Sequence, residues 1–125
     1  MVSVLLVEDE AEVAEVTCEA LTEAGFDVTV AMDDKVACRT LAQEARSFAA
    51  MITDINLGAG VTGFDIARLA RQLNGAIKVV YISGQGPHLG QFSVSGALTI
   101  DKPFQPRELA AQVAALVGAP AGPAN

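Results

Sequence analysis

Polar residues that could do chemistry stand at the ends of four apolar segments of the chain. Glu8 and Asp9 follow the first segment, Asp54 ends the third, Ser83 follows the fourth and Lys102 follows the fifth. Burying a carboxylate is costly unless a cation meets it. Asp54 therefore either opens to solvent at the end of its segment or is paired with a cation or metal. Both interpretations indicate a site.

The chemistry of this set follows from charge. Three clustered carboxylates repel one another unless a cation joins them, and hard oxygen ligands favour Mg²⁺. A magnesium ion held by Asp9, Asp54 and a backbone carbonyl just past Asp54 would keep positions open for a phosphoryl donor. A carboxylate oxygen of Asp54 could then attack phosphorus and form an acyl phosphate. Lys102 would neutralise the charge of the transferring group, and the Ser83 hydroxyl could donate a hydrogen bond to it.

Each residue also has an ordinary structural explanation. The acids at 8–10 could complement the N-terminus of a following helix. Ser83 could be a turn residue, Lys102 a solvated lysine and Asp54 a turn former at the end of a strand. The ordered combination is what favours a site, because all of these explanations must hold together to remove it.

The elements that must position these residues can be predicted from periodicity. Short apolar strands are predicted at residues 3–7, 27–31, 49–54, 77–82 and 97–100. Helices are predicted at about residues 10–24, 33–45, 63–73 and 106–117. In the first helix Val13, Val16 or Thr17, Ala20 and Leu21 are expected to face inward. A further helix would fit between residues 87 and 95, but the Gly and Pro residues that are frequent there destabilise helices.

The alternation of strands and helices predicts an α/β fold, a parallel sheet with helices on both faces. Ligands of such sheets bind outside the carboxyl ends of the strands, which is where the polar residues stand. The expected organisation is one domain over residues 1–118 and a flexible C-terminal tail over residues 119–125.

Composition excludes several classes of function. The formal net charge of −7 argues against nucleic-acid binding, and no apolar run is long enough to span a membrane. The N-terminus lacks the features of a signal peptide, so a cytoplasmic location is expected. Cys18 and Cys38 are too few for a zinc site or disulfide scaffold, and buried thiols are expected instead.

The chain resembles the response-regulator receiver domains of two-component signalling. The resemblance spans about residues 4–117 and rests on LLVEDE at 5–10, TDINL at 53–57, ISG at 82–84 and DKPF at 101–104. It implies a five-stranded flavodoxin-like sheet of order 2-1-3-4-5. It also permits a cis peptide bond between Lys102 and Pro103.

The resemblance implies roles for individual residues. Asp54 matches the phosphoacceptor, Ser83 the switch hydroxyl and Lys102 the lysine of the family. Asp9 matches the principal metal-binding acid and Glu8 its acidic neighbour, which acts outside the direct ligand set. Asn56 would give its backbone carbonyl to Mg²⁺, the implied cofactor.

Three features depart from the family pattern. Thr99 stands where many receivers carry an aromatic residue or His that couples to the switch hydroxyl. The Gly- and Pro-rich residues 86–96 stand where the fourth helix belongs, so an irregular helix region is expected. The loop at residues 58–63 is longer than in many members.

The leading hypothesis is a stand-alone phosphoryl-accepting signalling domain, which is not a turnover enzyme. A histidine kinase or histidine phosphotransfer protein would phosphorylate Asp54 with Mg²⁺. Output would pass through contact with an unidentified downstream protein or through a phosphorelay, and weak homodimerisation is left open. The alternative is a receiver-like interaction module that works without phosphorylation.

Nucleotide or flavin binding on the same fold is disfavoured, because Glu8, Asp9 and Glu10 would repel phosphate where a phosphate-binding loop belongs. A haloacid-dehalogenase-like phosphatase is also disfavoured, because its nucleophile would be an Asp where this chain has Glu8.

Overall fold

The computed structural model describes residues 1–57, 61–84 and 92–118. Five strands and four α-helices follow one another in the described chain. The strands are β1 (Val2–Val7), β2 (Phe26–Ala31), β3 (Phe48–Asp54), β4 (Lys78–Ser83) and β5 (Leu98–Asp101). The helices are α1 (Ala11–Glu23), α2 (Asp34–Glu44), α3 (Gly63–Leu73) and α4 (Pro106–Val117), with a 3₁₀ turn at Ala45–Ser47.

The strands form one parallel sheet in the order β2-β1-β3-β4-β5, which confirms the predicted architecture. Alternate residues of the central strands enter two separate apolar layers, because successive side chains of a strand point to opposite faces. Leu5 and Val7 of β1 pack with α2 and α3 on one face. Val4 and Leu6 pack with α1 and α4 on the other. This arrangement buries β1 and β3 on both faces and explains their continuous apolar sequence.

The ends of the helices are set by local sequence. Gly25 follows α1 with φ 100°, and Gly118 follows α4 with φ 74°, so both take the left-handed conformation that ends helices. The Asp33 carboxylate accepts a hydrogen bond from Val36 N at the start of α2. Pro106 occupies the first turn of α4 as predicted.

The inward face of α1 follows the prediction except at Val13. Ala14, Thr17, Ala20 and Leu21 are buried, whereas Val16 is 46% exposed. Of the two alternatives left open, Thr17 rather than Val16 enters the core, and Ala14 is buried whereas Val13 is only half-buried. The small buried residues let α1 lie close to the sheet, and the larger Val13 and Val16 lie at the margin of the buried helix face. Leu73 at the end of α3 is 38% exposed.

The two cysteines are less buried than predicted. Cys18 and Cys38 are free thiols of intermediate exposure that pack at the margins of the two apolar layers.

Charge is divided between the two faces of the sheet. Helix α1 carries four glutamates, Glu12, Glu15, Glu19 and Glu23, and no basic residue. Helices α2 and α3 on the opposite face carry Lys35, Arg39, Arg68 and Arg71 beside three acidic residues.

Three expectations lie wholly or partly outside the described residues. The tail at 119–125 lies outside them, as do residues 85–91 of the segment expected to be irregular and residues 58–60 of the loop expected to be long. No described helix is both long enough and apolar enough to cross a bilayer.

Candidate functional site

Asp54 is the last residue of β3 and is only 4% exposed. Its Oδ1 accepts a hydrogen bond from Asn56 N at 3.2 Å. The Thr53 hydroxyl donates to the Asp54 carbonyl at 2.9 Å, and Ile55 N donates to Ile82 O at 3.0 Å. Strand pairing and these local bonds fix the carboxylate at the carboxyl edge of the sheet.

Lys102 supplies the cation that the buried carboxylate needs. Its Nζ donates to Asp54 Oδ2 at 2.9 Å and lies 3.6 Å from Glu10 Oε1. The backbone N of Lys102 donates to Ser83 O at 2.8 Å, which ties the residue to the end of β4. The Lys102–Pro103 peptide bond is cis, as the resemblance permitted.

The environment of Lys102 keeps its ammonium charged. Partial burial lowers the pKa of the group, but the hydrogen bond and charge of Asp54 raise it. Glu8 and Glu10 raise it further, so the pKa of Lys102 ends above its usual value. The cation is therefore a permanent feature of the site at neutral pH.

Glu8 is fully buried directly after β1. Its Oε2 accepts a hydrogen bond from Glu10 N at 3.2 Å, whereas its Oε1 has no hydrogen-bond partner among the described residues. Burial is the main cause that raises the pKa of Glu8 from 4.5 to about 7, and the charge of Asp54 adds to it. A buried carboxylate oxygen without a partner is costly and is satisfied by a proton or by a ligand.

Carboxylate oxygens of Glu8, Glu10 and Asp54 all lie within 4.8 Å of one another. Glu10 has no individual role in the sequence prediction, yet its side chain reaches this cluster. Asp9, the predicted principal metal ligand, has an exposed side chain outside the cluster. The i, i+2 spacing of Glu8 and Glu10 was the available signal, but the reach of Glu10 depends on how the backbone turns before α1.

Ser83 ends β4 next to the Asp54 strand and is partly buried. Ile82 pairs in register with Asp54, and Ser83 pairs with Asp101. The ends of β1, β3, β4 and β5 therefore bring the predicted residues Glu8, Asp54, Ser83 and Lys102 to one edge of the sheet.

The start of α3 is pressed against the Asp54 backbone. Gly63 N donates to Ile55 O at 2.8 Å, and a Cβ at position 63 would lie 2.3 Å from Asp54 O. Thr62, which precedes Gly63, and Asp65 in the first turn form a capping box that fixes the helix start. Only glycine allows this close approach.

A groove of about 480 Å³ opens beside the cluster. Its walls are mainly apolar, and Glu10 and Lys102 stand at the end that meets the site. The other lining residues are Val13, Val16, Gly84, Pro103, Phe104 and Pro106. The valines that α1 leaves outside the core thus form one wall of this groove.

Comparisons of the sequence and of the structure with known proteins agree on one family. A sequence profile for the response regulator receiver domain matches residues 4–114. A response regulator receiver protein from Sinorhizobium medicae WSM419 is 31% identical, with a TM-score of 0.87, over 94% of this chain and 95% of its own. The chemotaxis response regulator CheY4 of Vibrio cholerae is 27% identical, with a TM-score of 0.80, over 93% and 98% of the two chains. The receiver domain of the hybrid histidine kinase CckA is also 27% identical, with a TM-score of 0.78, over 92% and 98%.

Proposed function

The chain belongs to the response-regulator receiver domain family, and we propose that it accepts a phosphoryl group on Asp54 from a histidine kinase or histidine phosphotransfer protein. The observation that carries this proposal is the buried Asp54 carboxylate, which is paired with Lys102 at 2.9 Å beside further acids. Receiver domains are generally signalling modules rather than turnover enzymes. The same role is proposed here for a single domain over residues 1–118, located in the cytoplasm.

The transfer itself is a substitution at phosphorus. A carboxylate oxygen of Asp54 forms a new O–P bond while the N–P bond of a phosphohistidine breaks, and the N–P electron pair returns to the imidazole nitrogen. Lys102 lies where it can neutralise charge on the oxygens of the transferring group. Strand β3 fixes the nucleophile, so little reorganisation is needed at the moment of reaction.

The donor set fits a hard divalent cation, because carboxylate oxygens converge and Glu8 Oε1 is buried without a partner among the described residues. Asp9, Asp54 and the Asn56 carbonyl would hold Mg²⁺, with Glu8 supporting them from outside the ligand set. The exposed Asp9 side chain would turn toward the ion and give up part of its hydration in exchange for the metal bond. Bound Mg²⁺ would supply charge neutralisation for the phosphoryl oxygens.

Ser83 is proposed to donate its hydroxyl to a phosphoryl oxygen after the transfer. Its position at the end of β4, next to the Asp54 strand, supports this role. The added negative charge on Asp54 would then be read by a downstream protein or passed on in a phosphorelay.

The groove beside Lys102 supports docking of a phosphodonor protein. Its apolar walls end at Glu10 and Lys102, so a helix seated there would bring its histidine toward Asp54. The exposed Val16 supplies apolar surface on the α1 wall.

A second candidate is an interaction module that works without phosphorylation. Thr99 favours it, because this exposed residue stands where receivers commonly carry a coupling aromatic residue. Output in that case would not depend on Asp54.

Incubation with acetyl phosphate and Mg²⁺, followed by intact mass measurement, tests the proposal. The wild type should gain one phosphoryl group, and Asp54→Asn should gain none. Asp27→Asn, an exposed carboxylate remote from the site, serves as control. If the wild type stays unmodified with both acetyl phosphate and a cognate kinase, or if Asp54→Asn gains as much, phosphoryl acceptance is wrong and the second candidate stands.

A further inference from the structure

Tyr81 and Thr99 are partners in register on the adjacent strands β4 and β5. Registered partners of a parallel pair place their side chains on the same face of the sheet. Thr99 is exposed, whereas Tyr81 has no exposed surface. The aromatic residue absent from position 99 thus has a counterpart one strand away.

The phenol of Tyr81 holds a segment that follows β4. Val94 N donates a hydrogen bond to the Tyr81 hydroxyl at 3.1 Å. Ala97 N in turn donates to Val94 O, which closes the turn that leads into β5. Burial raises the pKa of Tyr81, so the hydroxyl stays un-ionised at neutral pH.

An aromatic cluster surrounds this hydrogen bond. The ring centroid of Phe64 lies 4.9 Å from that of Tyr81 with an interplanar angle of 57°, and 5.9 Å from that of Phe92. Tilted pairs at these distances are attractive beyond the area that they bury. Phe64 therefore links β4 to residues 92–95 by packing, while Tyr81 links them by a hydrogen bond.

Two arginine contacts to residues 92–95 lie at the surface. Arg68 Nη1 donates to Phe92 O at 3.2 Å, and Arg71 Nη1 lies 3.5 Å from Ser95 Oγ. Exposed bonds of this kind contribute little and exchange readily with water. The Tyr81 bond is the better shielded constraint on the segment.

Phe64 and Tyr81 both lie within two residues of the candidate site along the chain. Phe64 directly follows Gly63, whose backbone abuts Asp54 O. Tyr81 precedes Ser83 by two residues on β4. Contiguous backbone and packed rings thus connect Asp54 to residues 92–95.

We propose that Tyr81 is the residue that couples Asp54 to residues 92–95, in place of an aromatic residue at position 99. Modification of Asp54 shifts β4 and the start of α3, and this changes the hydrogen bond between the Tyr81 hydroxyl and Val94 N. The surface formed by residues 92–95 then differs between the two states of the domain. This inference rests on the proposed phosphoryl acceptance by Asp54.

The test uses beryllofluoride with Mg²⁺ as a stable phosphoryl mimic on the full chain. Fluorine NMR reports its binding at Asp54, and amide hydrogen exchange reports Val94 and its neighbours. In the wild type, beryllofluoride should change the exchange rate of the Val94 amide by about tenfold or more. In Tyr81→Phe, which keeps the ring and loses only the hydroxyl, fluorine signals should persist while the change at residues 92–95 falls at least about fivefold.

Thr99→Ala is the matched control on the neighbouring strand and should respond like the wild type. An unchanged Val94 exchange rate in the beryllofluoride-bound wild type overturns the coupling, and this measurement stands even if Tyr81→Phe fails to fold. A full response in folded Tyr81→Phe, or its loss in Thr99→Ala, also overturns it. Absence of fluorine signals from the wild type would instead refute phosphoryl acceptance itself, and the coupling with it.

Discussion

Lys102 Nζ lies 2.9 Å from Asp54 Oδ2, so the candidate phosphoacceptor is held in an ion pair at the edge of the sheet. The pair makes a nearly buried carboxylate tolerable, and it places a cation where charge would develop during phosphoryl transfer. One contact thus serves both folding and the proposed chemistry.

Replacing this lysine tests its contribution to the proposed chemistry. We expect Lys102→Met to slow phosphoryl uptake from acetyl phosphate by about tenfold or more, because the cation that neutralises the transferring group is lost. Rates are measured by intact mass at fixed Mg²⁺. Lys78→Met, an exposed lysine at the opposite end of β4, should react like the wild type. Equal rates for Lys102→Met and the wild type would remove Lys102 from the mechanism.

Gly63 should be intolerant of even one added carbon. A Cβ there would lie 2.3 Å from Asp54 O, so Gly63→Ala must displace either α3 or the end of β3. We expect a loss of about 1–3 kcal/mol in the free energy of unfolding, measured with urea. At Gly75 the nearest atom to an added Cβ is 4.0 Å away, so Gly75→Ala should be close to neutral. Similar losses for both variants would show that the close approach is not the cause.

Glu8 should make the metal-free protein less stable as pH rises. Its pKa is raised from 4.5 to about 7 in the folded protein, mainly by burial, so the folded state retains a proton that the unfolded state releases between these values. The free energy of unfolding should fall across this window, by up to about 3 kcal/mol, and level off above it.

Comparison with Glu8→Gln isolates this titration from that of other groups. Urea unfolding in EDTA at pH 5 and pH 8 should show the fall in the wild type and a much smaller one in the variant. A variant with the same pH dependence as the wild type would assign the effect to another group.

Mg²⁺ affinity should distinguish the contributions of Asp9 and Glu10 to metal binding. Under the proposed ligand set, Asp9→Asn should weaken Mg²⁺ binding by about tenfold or more, whereas Glu10→Gln should weaken it less. Calorimetric titration of each variant, with exposed Asp27→Asn as control, provides the measurement. The reverse order would assign the ion to the cluster of Glu8, Glu10 and Asp54 instead.

The sheet was predictable because its strands are short apolar runs bounded by turns, and a parallel sheet demands that pattern. The gathering of Glu8, Asp54, Ser83 and Lys102 followed from the same argument, since parallel strands end at one edge. These predictions depended only on topology.

The details that the sequence left open or missed depend on packing. Helix α1 carries apolar residues around more than one face, so periodicity could not decide between Val16 and Thr17 for the core. The reach of Glu10 depends on how the backbone turns before α1, which no spacing rule specifies. The nearness of Gly63 to Asp54 is likewise a consequence of how α3 seats on the sheet.

The division of charge between the faces of the sheet has a consequence at long range. The four glutamates of α1 face nearly balanced charges on α2 and α3, so negative charge is in excess on the α1 side and the helices give the domain an electric dipole across its thickness. A charged partner exerts a torque on such a dipole from a distance of about a Debye length, roughly 8 Å at physiological salt. A positively charged partner therefore meets the domain already turned with α1 toward it, and added salt removes this alignment before it alters any direct contact.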